Sequence, residues 1–175
     1  QAGHSVLLLD NRPGAAAQAI DGIDRQLGKR VEKGKLAADE RGAIVARLHA
    51  VEAIETLADC TLIIEAIVEN LEVKRGLFTQ LESLCGDDCI LASNTSSLSI
   101  TSIAAGLQRP ERLLGLHFFN PAPVMPLVEI VSGLASDPAL AQTLFDTAKA
   151  WGKQPVRTRS TPGFIVNRVA RPFYA

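Results

Sequence analysis

Short apolar runs alternate along this chain with longer segments of helical period, and this alternation constrains the fold more than any other feature. The apolar runs read as buried strands, at residues 5–10, 61–67, 89–93, 113–118, 127–131 and 154–158. The segments between them read as helices, near residues 13–31, 37–48, 71–84, 100–106 and 137–151. Strands alternating with helices at this spacing predict an α/β fold with a doubly wound, mostly parallel sheet.

Composition excludes several classes of protein. The chain has 175 residues with 47% hydrophobic residues and a formal net charge of -1, which gives no bias toward nucleic acid or an anionic membrane. No apolar stretch approaches the roughly 20 residues of a membrane span, and the chain, which begins at Gln1 without a methionine or a charged leader, is expected to carry no signal peptide. The cysteines Cys60, Cys85 and Cys89 lack the spacing of a zinc site. We therefore expect a cytoplasmic protein with reduced thiols, no metal site, and neither nucleic acid nor membrane as a partner.

One domain boundary is predicted near Pro162-Gly163, where a turn is followed by a new apolar helical pattern. We expect residues 1–160 to form one domain and residues 161–175 to be the start of a second. The chain is long enough for one substantial core and too short for two.

Asp10 ends the first predicted strand, where doubly wound dinucleotide-binding sheets carry an acid that hydrogen-bonds the adenosine ribose. The glycine-rich turn that should precede this acid by about 20 residues is absent, since only nine residues come before Asp10. We expect the first strand and its glycine loop to be missing, with Gly3 capping the end of the phosphate-binding helix. The alternative is that Asp10 merely starts a turn before Pro13. A carboxylate here favours NAD over NADP, although Arg12 blurs that preference.

The stretch "GLHFFNPAPVMPLVE" from Gly115 places His117 and Glu129 twelve residues apart in two apolar runs separated by prolines. Two adjacent strands joined by a turn could bring these positions face to face. A lone histidine in such a strand could equally be a core residue satisfied by a backbone carbonyl.

Four stretches in order resemble the L-3-hydroxyacyl-CoA dehydrogenase family over essentially the whole chain. They are "EAIVENLEVKRGLF" from Glu65, "SNTSSLSI" from Ser93, "GLHFFNPAPVMPLVEIV" from Gly115 and "STPGFIVNRV" from Ser160. The resemblance implies a Rossmann-type NAD-binding domain followed by a helical domain that dimerises and closes over the acyl-CoA. It therefore implies NAD as cofactor, an acyl-CoA as substrate and a homodimer formed through the missing C-terminal domain.

The resemblance also implies the catalytic residues. His117 matches the general base that removes the hydroxyl proton while hydride passes to the nicotinamide, and Glu129 matches the acid that orients it. Ser96 and Asn167 match residues that contact the substrate. The chemistry agrees, because histidine has an ordinary pKa of about 6.5 and a carboxylate on its second nitrogen stabilises the imidazolium. Without the family, Ser96 or Ser97 could be only a helix cap.

Further positions match cofactor and CoA contacts of the family. The implied cofactor contacts are Asp10, Ala66, Glu69, Lys74, Asn94 and Asn120. Glu69 and Lys74 could instead be a structural pair at a helix start. Lys33 falls where a family lysine approaches the CoA phosphate, but a lysine at a helix end is also favoured by the helix dipole. Pro126 departs from the lysine of many family members, which puts the charge at the substrate entrance in doubt.

Residues 19–36 and 151–175 look most like the bacterial branch that oxidises 3-hydroxyadipyl-CoA in phenylacetate breakdown, with the 3-hydroxybutyryl-CoA enzyme as runner-up. No residue decides between these acyl groups. Four arginines could bind a terminal carboxylate of the substrate, although arginines in such a segment are more commonly surface residues: Arg157, Arg159, Arg168 and Arg171.

Other classes of protein remain open. One alternative is a segment of a multifunctional fatty-acid oxidation protein, and another is a non-catalytic structural relative. Enzymes acting on free 3-hydroxyacids use a lysine for proton chemistry, so His117 with Glu129 argues against them. We expect the 175-residue piece alone to be inactive.

Overall fold

The computed structural model describes residues 1–170 and residue 172. Arg171, one of the four arginines named above, lies outside the described residues, as does the end of the predicted second domain, 173–175. The chain divides into two compact units, Gln1–Ala58 and Asp59–Ala175, here called the N-terminal and the C-terminal unit.

The N-terminal unit pairs two short parallel strands with two helices. Its elements are β1 (Val6–Leu9), α1 (Ala15–Glu32), α2 (Ala38–Val45), β2 (Leu48–Val51) and a 3-10 turn at Ile54–Leu57. β1 pairs in parallel with β2, with Val6 opposite Leu48. Before β1, Gly3 has the left-handed φ of 91° expected of a cap, but residues 1–5 are not helical.

The helix predicted over residues 37–48 is wrong at its C-terminal end. α2 stops at Val45, and Leu48 instead begins β2. This strand has only four residues, and its central pair, His49 and Ala50, is exposed, so no apolar run revealed it. Arg41 of α2 donates from Nε and Nη2 to the two carboxylate oxygens of Asp24, at 2.7 Å each, and so holds α2 against α1.

The C-terminal unit contains a five-stranded sheet in the order β3-β4-β5-β6-β7. Its strands are β3 (Leu62–Glu65), β4 (Ile90–Ser93), β5 (Leu113–Phe118), β6 (Leu127–Ser132) and β7 (Gln154–Arg159). The helices are α3 (Leu71–Leu84), α4 (Ile100–Ala104), α5 (Pro138–Ala150) and α6 (Val166–Ala170), with a 3-10 turn at Pro110–Arg112. Every pairing is parallel except that of β5 with β6, which confirms the mostly parallel sheet.

Helices cover this sheet on both faces. Alternate strand residues such as Leu114, Leu116 and Ile130 join Leu144 of α5 in one buried cluster. The opposite face carries Gly115, where a Cβ would lie 2.7 Å from Val131 Cβ and 3.0 Å from Ile100 Cδ1 of α4. Because side chains alternate along a strand, His117 shares the Gly115 face. This doubly wound arrangement places the histidine on the α4 side of the sheet.

Three further features bear on function. Among residues 1–170 and 172, no helix is long and apolar enough to cross a membrane. Within the same residues, no group of three His, Cys, Asp or Glu side chains could hold a metal ion. The three cysteines, all within the described residues, form no disulfide bond; Cys85 and Cys89 are buried and Cys60 is partly exposed, and burial raises the pKa of Cys89 to about 12.

Candidate active site

His117 and Glu129 form a buried pair across β5 and β6. The antiparallel register puts the two residues directly opposite each other, and His117 Nδ1 lies 2.7 Å from Glu129 Oε2. The histidine is 5% exposed and the glutamate 0%. The face-to-face arrangement that the two apolar runs suggested is what the strands adopt, so the histidine's partner is a carboxylate rather than a backbone carbonyl.

Glu129 has two further donors, both from the backbone. The N–H groups of Ile165 and Val166 donate to its Oε1, at 2.9 Å each. Burial raises the pKa of Glu129, but the hydrogen bonds from His117, Val166 and Ile165 outweigh it and leave that pKa below its ordinary value. The carboxylate is therefore ionised at neutral pH.

An ionised Glu129 sets the tautomer of His117. A carboxylate only accepts hydrogen bonds, so Nδ1 carries the proton that joins the pair, and in the neutral imidazole the lone pair is on Nε2. No hydrogen bond joins Nε2 to any residue in the described part of the chain. This is the arrangement that a general base requires.

Two phenylalanines enclose the imidazole. The Phe119 ring lies 4.5 Å from it, tilted by 51°, and the Phe164 ring lies 5.7 Å away, edge to face. These rings limit the orientations of His117 and displace water from it. Sequence reasoning assigned neither residue to the site, although Phe119 follows the histidine closely and Phe164 belongs to the quoted stretch "STPGFIVNRV".

Ser96 and Asn167, both predicted substrate contacts, meet in the structure. Asn167 Nδ2 donates to the backbone oxygen of Ser96 at 3.0 Å, across 71 residues of sequence. The cap of α4 is Ser99, whose hydroxyl accepts from the N–H of Ser102. The structural alternative for Ser96 and Ser97, a helix cap, is therefore wrong.

Lys74 lies in a second buried polar cluster, beneath the carboxyl ends of β3 and β4. Its Nζ is 2.6 Å from Glu65 Oε1, and Ser93 Oγ donates to Glu65 Oε2 at 2.7 Å. Lys74 is only 1% exposed. Sequence reasoning paired this lysine with Glu69 and missed Glu65 and Ser93. The spacing of Lys74 to Phe78, four residues on and also buried, was a signal that the lysine faces inward.

Glu69 organises the loop after β4. Its Oε1 accepts from Thr95 Oγ1 at 2.5 Å, from Ser97 Oγ at 2.9 Å and from two backbone N–H groups, those of Ser96 and Ser97. Its Oε2 lies 3.4 Å from Lys74 Nζ. Burial raises the pKa of Glu69, but the hydrogen bonds from Thr95 and Ser97 lead the contributions that bring it below its ordinary value. Glu69 is thus a partly exposed carboxylate whose Oε1 accepts hydrogen bonds from the loop and whose Oε2 lies near Lys74.

The remaining cofactor candidates of the C-terminal unit lie just after strands. Asn94 follows β4, and its Oδ1 accepts from the N–H of Phe118 at 2.8 Å, which leaves its amide NH₂ to donate elsewhere. Ala66 follows β3 and is exposed. Asn120 is exposed in the loop after β5. All three thus lie at or just beyond strand ends.

Asp10 and Lys33, the two candidates of the N-terminal unit, lie at the ends of β1 and α1. Asp10 Oδ1 accepts from the backbone N–H of Arg12 at 2.9 Å and from its Nε at 3.2 Å. These bonds, the backbone one first, lower the pKa of Asp10. Asp10 thus starts a turn, as the alternative held, and remains an exposed carboxylate. Lys33 is the exposed C-cap of α1, the position at which the helix dipole favours a cation.

The chain is similar to 3-hydroxyacyl-CoA dehydrogenases over part of their length. It is 54% identical to a 3-hydroxyadipyl-CoA dehydrogenase of Escherichia coli (strain K12) over 173 residues, 99% of this chain and 36% of that protein. It is 42% identical to a 3-hydroxybutyryl-CoA dehydrogenase of Clostridioides difficile, over 97% of this chain and 60% of that protein. The chain thus spans between about a third and three-fifths of the length of these relatives.

A crystal structure confirms the fold. A 3-hydroxybutyryl-CoA dehydrogenase from Escherichia coli K12 substr. MG1655 matches with a TM-score of 0.97 and 54% identity, over 99% of this chain and 37% of that one. The family described as "3-hydroxyacyl-CoA dehydrogenase, NAD binding domain" matches residues 1–161. The predicted resemblance and the Rossmann-type α/β fold are confirmed: this chain belongs to the 3-hydroxyacyl-CoA dehydrogenase NAD-binding domain family.

Proposed function

We propose that the full-length protein containing this chain oxidises an L-3-hydroxyacyl-CoA to the 3-oxoacyl-CoA with NAD. One observation carries the proposal: His117 is buried, its Nδ1 is paired with an ionised Glu129 at 2.7 Å, and its Nε2 has no partner among the described residues. Oxidising a secondary alcohol releases a proton together with a hydride, so the reaction needs a base of this kind.

The residues of each unit fit the demands of NAD. In the N-terminal unit, the ionised carboxylate of Asp10 can accept hydrogen bonds from ribose hydroxyls. In the C-terminal unit, the NH₂ of Asn94 can donate to a carboxamide oxygen. Glu69 can accept from a ribose hydroxyl, and the nearby Lys74 ammonium, 3.4 Å from its Oε2, stabilises its negative charge. Ala66 and Asn120, exposed just after β3 and β5, would contact the part of NAD bound by the C-terminal unit.

In the proposed reaction, NAD supplies the hydride acceptor, and the residues of this chain handle the proton. His117 Nε2 accepts the proton of the substrate hydroxyl as the carbonyl forms. The negative charge of Glu129 stabilises the resulting imidazolium, as an orienting acid does in hydrolytic triads. Ser96 Oγ would hold the substrate oxygen, and Asn167, already bonded to Ser96, would hold the acyl-CoA beside it.

The finer assignments rest on the relatives and on composition. We propose 3-hydroxyadipyl-CoA or 3-hydroxybutyryl-CoA as the substrate, because the Escherichia coli and Clostridioides difficile relatives carry these two names. Lys33 would bind a CoA phosphate. We further propose a place in phenylacetate breakdown, a cytoplasmic location consistent with three cysteines that form no disulfide bond in the described residues, and a homodimer formed by the rest of the full-length protein.

The test is a steady-state comparison on the full-length protein. NADH formation would be followed with the L isomers of 3-hydroxyadipyl-CoA and 3-hydroxybutyryl-CoA, with NADP and the D isomers as controls. We expect kcat/KM to be far higher with NAD and the L isomers, and the ratio of kcat/KM for the two acyl groups to identify the preferred substrate. Absence of NADH formation with every L-3-hydroxyacyl-CoA would refute the proposal.

A further inference from the structure

Residues 161–166, here called the 161–166 turn, touch both members of the buried pair although they follow the last strand of the sheet. We infer that this turn positions the proton-accepting pair, with Gly163 and Phe164 as its positioning residues. The inference rests on the proposed function for its catalytic consequence, but its structural content can be measured separately.

The turn is anchored on either side. Before it, the N–H of Ser160 donates to Ser132 O at 2.9 Å, and Ser160 Oγ accepts from the N–H of Ile100 at 2.8 Å. After it, Asn167 Nδ2 donates to Ser96 O. The segment is therefore held against β6, α4 and the loop after β4 before any contact with Glu129 is counted.

The turn depends on two consecutive residues in the left-handed region. Gly163 has φ 73° and Phe164 has φ 50°, and Phe164 is the non-glycine residue with positive φ among those the structure describes. A bulky residue in this region is a genuine outlier, and such outliers cluster at functional sites. Gly163 is needed for space as well, because a Cβ there would lie 3.0 Å from the backbone nitrogen of Arg168. Reversal of the chain at these residues presents the next two N–H groups to Glu129.

These N–H groups bind one oxygen of the Glu129 carboxylate and leave the other for His117. Ile165 and Val166 both donate to Oε1, which leaves Oε2 for His117 Nδ1. With one oxygen held twice, rotation of the carboxylate away from the histidine would break two further bonds. The same turn buries Phe164, 2% exposed, against the edge of the imidazole. One turn therefore fixes both the acid and the base.

The experiment compares Gly163→Ala with Gly152→Ala in the full-length protein. Gly152 is a matched control, because it also lies in a turn with φ 76°, but a Cβ there meets nothing within 4 Å. Glutamate carboxyl carbons would be labelled with ¹³C, and the Glu129 resonance assigned by its loss in Glu129→Gln. Its titration midpoint responds to every hydrogen bond that Glu129 accepts, the two backbone bonds included.

We expect Gly163→Ala to raise the titration midpoint of Glu129 and to lower kcat by roughly 10- to 100-fold, as a small misplacement of a catalytic group does. KM for acyl-CoA and for NAD should change by less than about twofold, since Gly163 is not among the residues proposed to bind either ligand. Gly152→Ala should leave the midpoint and kcat at their wild-type values. An unchanged midpoint and kcat in a folded Gly163→Ala protein would overturn the inference.

A second variant covers the case in which Gly163→Ala does not fold. Val166→Pro removes one of the two N–H donors, and proline is tolerated at the first position of a helix, which Val166 occupies in α6. We expect a smaller rise in the Glu129 midpoint, and no rise would again contradict the inference. Failure of the proposed function would look different: the wild-type protein would form no NADH, whatever the Glu129 midpoint does.

Discussion

Two buried carboxylates of the C-terminal unit, Glu65 and Glu129, each bind three polar partners, yet one suits a structural role and the other a catalytic one. Glu65 is 4% exposed and accepts from Lys74, Ser93 and the N–H of Ile67, while Glu129 is 0% exposed and accepts from His117 and two backbone N–H groups. An ammonium has donors only, whereas an imidazole that donates from one nitrogen keeps a lone pair on the other. The partner, rather than the carboxylate, decides which pair holds structure together and which can accept a proton.

The largest expected effect tests the catalytic side of this comparison. His117→Gln removes the lone pair at Nε2, so we expect kcat of the full-length protein to fall by about 10²–10⁴-fold, with the Kd for NAD close to the wild-type value. Steady-state kinetics and NAD titration would measure the two quantities. His49→Gln, an exposed histidine in β2, serves as the control. Wild-type turnover in His117→Gln would show that the His117–Glu129 pair, like the Lys74–Glu65 pair, has no proton-accepting role.

The structural side is tested by Lys74→Met, which leaves Glu65 buried without its cation. Removing one partner of a buried ion pair costs about 3–5 kcal/mol of unfolding free energy, measured by urea denaturation. Lys35→Met, at an exposed lysine, should cost little. The double variant Lys74→Met, Glu65→Gln should recover part of the loss, because no unpaired charge remains. A cost near zero for Lys74→Met would mean that Glu65 is held well enough by Ser93 and Ile67.

A smaller effect is expected at Gly115, on the His117 side of β5. Gly115→Ala would place a Cβ 2.7 Å from Val131 Cβ and should cost about 1–3 kcal/mol through overpacking. Gly76→Ala, where a Cβ in α3 meets nothing within 4 Å, should instead stabilise by roughly 0.5–1 kcal/mol. Thermal or urea unfolding of both variants checks the sign. Equal stability of the two variants would show that β5 and β6 can separate without cost.

The smallest expected effect is a pH dependence that belongs to Glu129. Its pKa in the folded chain is below the ordinary 4.5, so the unfolded state binds more protons at acid pH. The stability it contributes is complete above pH 4.5 and is lost as the pH falls through the lowered folded pKa. Unfolding free energies measured across this window should fall more steeply in the wild-type chain than in Glu129→Gln. Parallel curves would show that the three hydrogen bonds do not favour the ionised form.

Much of the fold could be predicted because its elements carry strong local signals. The buried strands of the C-terminal unit are continuous apolar runs, and Asn70, Ser99 and Asp137 cap the helices that follow them. β2 escaped prediction since four half-exposed residues hold no such signal. Within the candidate site, the sequence indicated that His117 and Glu129 could face each other because neighbouring strands joined by a turn can pair, but the register itself came from the structure.

The sequence by itself determined the order of the strands and helices in the C-terminal unit and the family, and it showed that His117 and Glu129 could face each other on neighbouring strands. Only the tertiary structure decided that Glu65 rather than Glu69 is the closest partner of Lys74, and that Ile165 and Val166 complete the shell of Glu129 from 36 and 37 residues away. The physical reason is the range of the signal. Periodicity and capping act within a few residues, whereas a backbone N–H carries no side-chain identity and finds its acceptor only when the chain has folded.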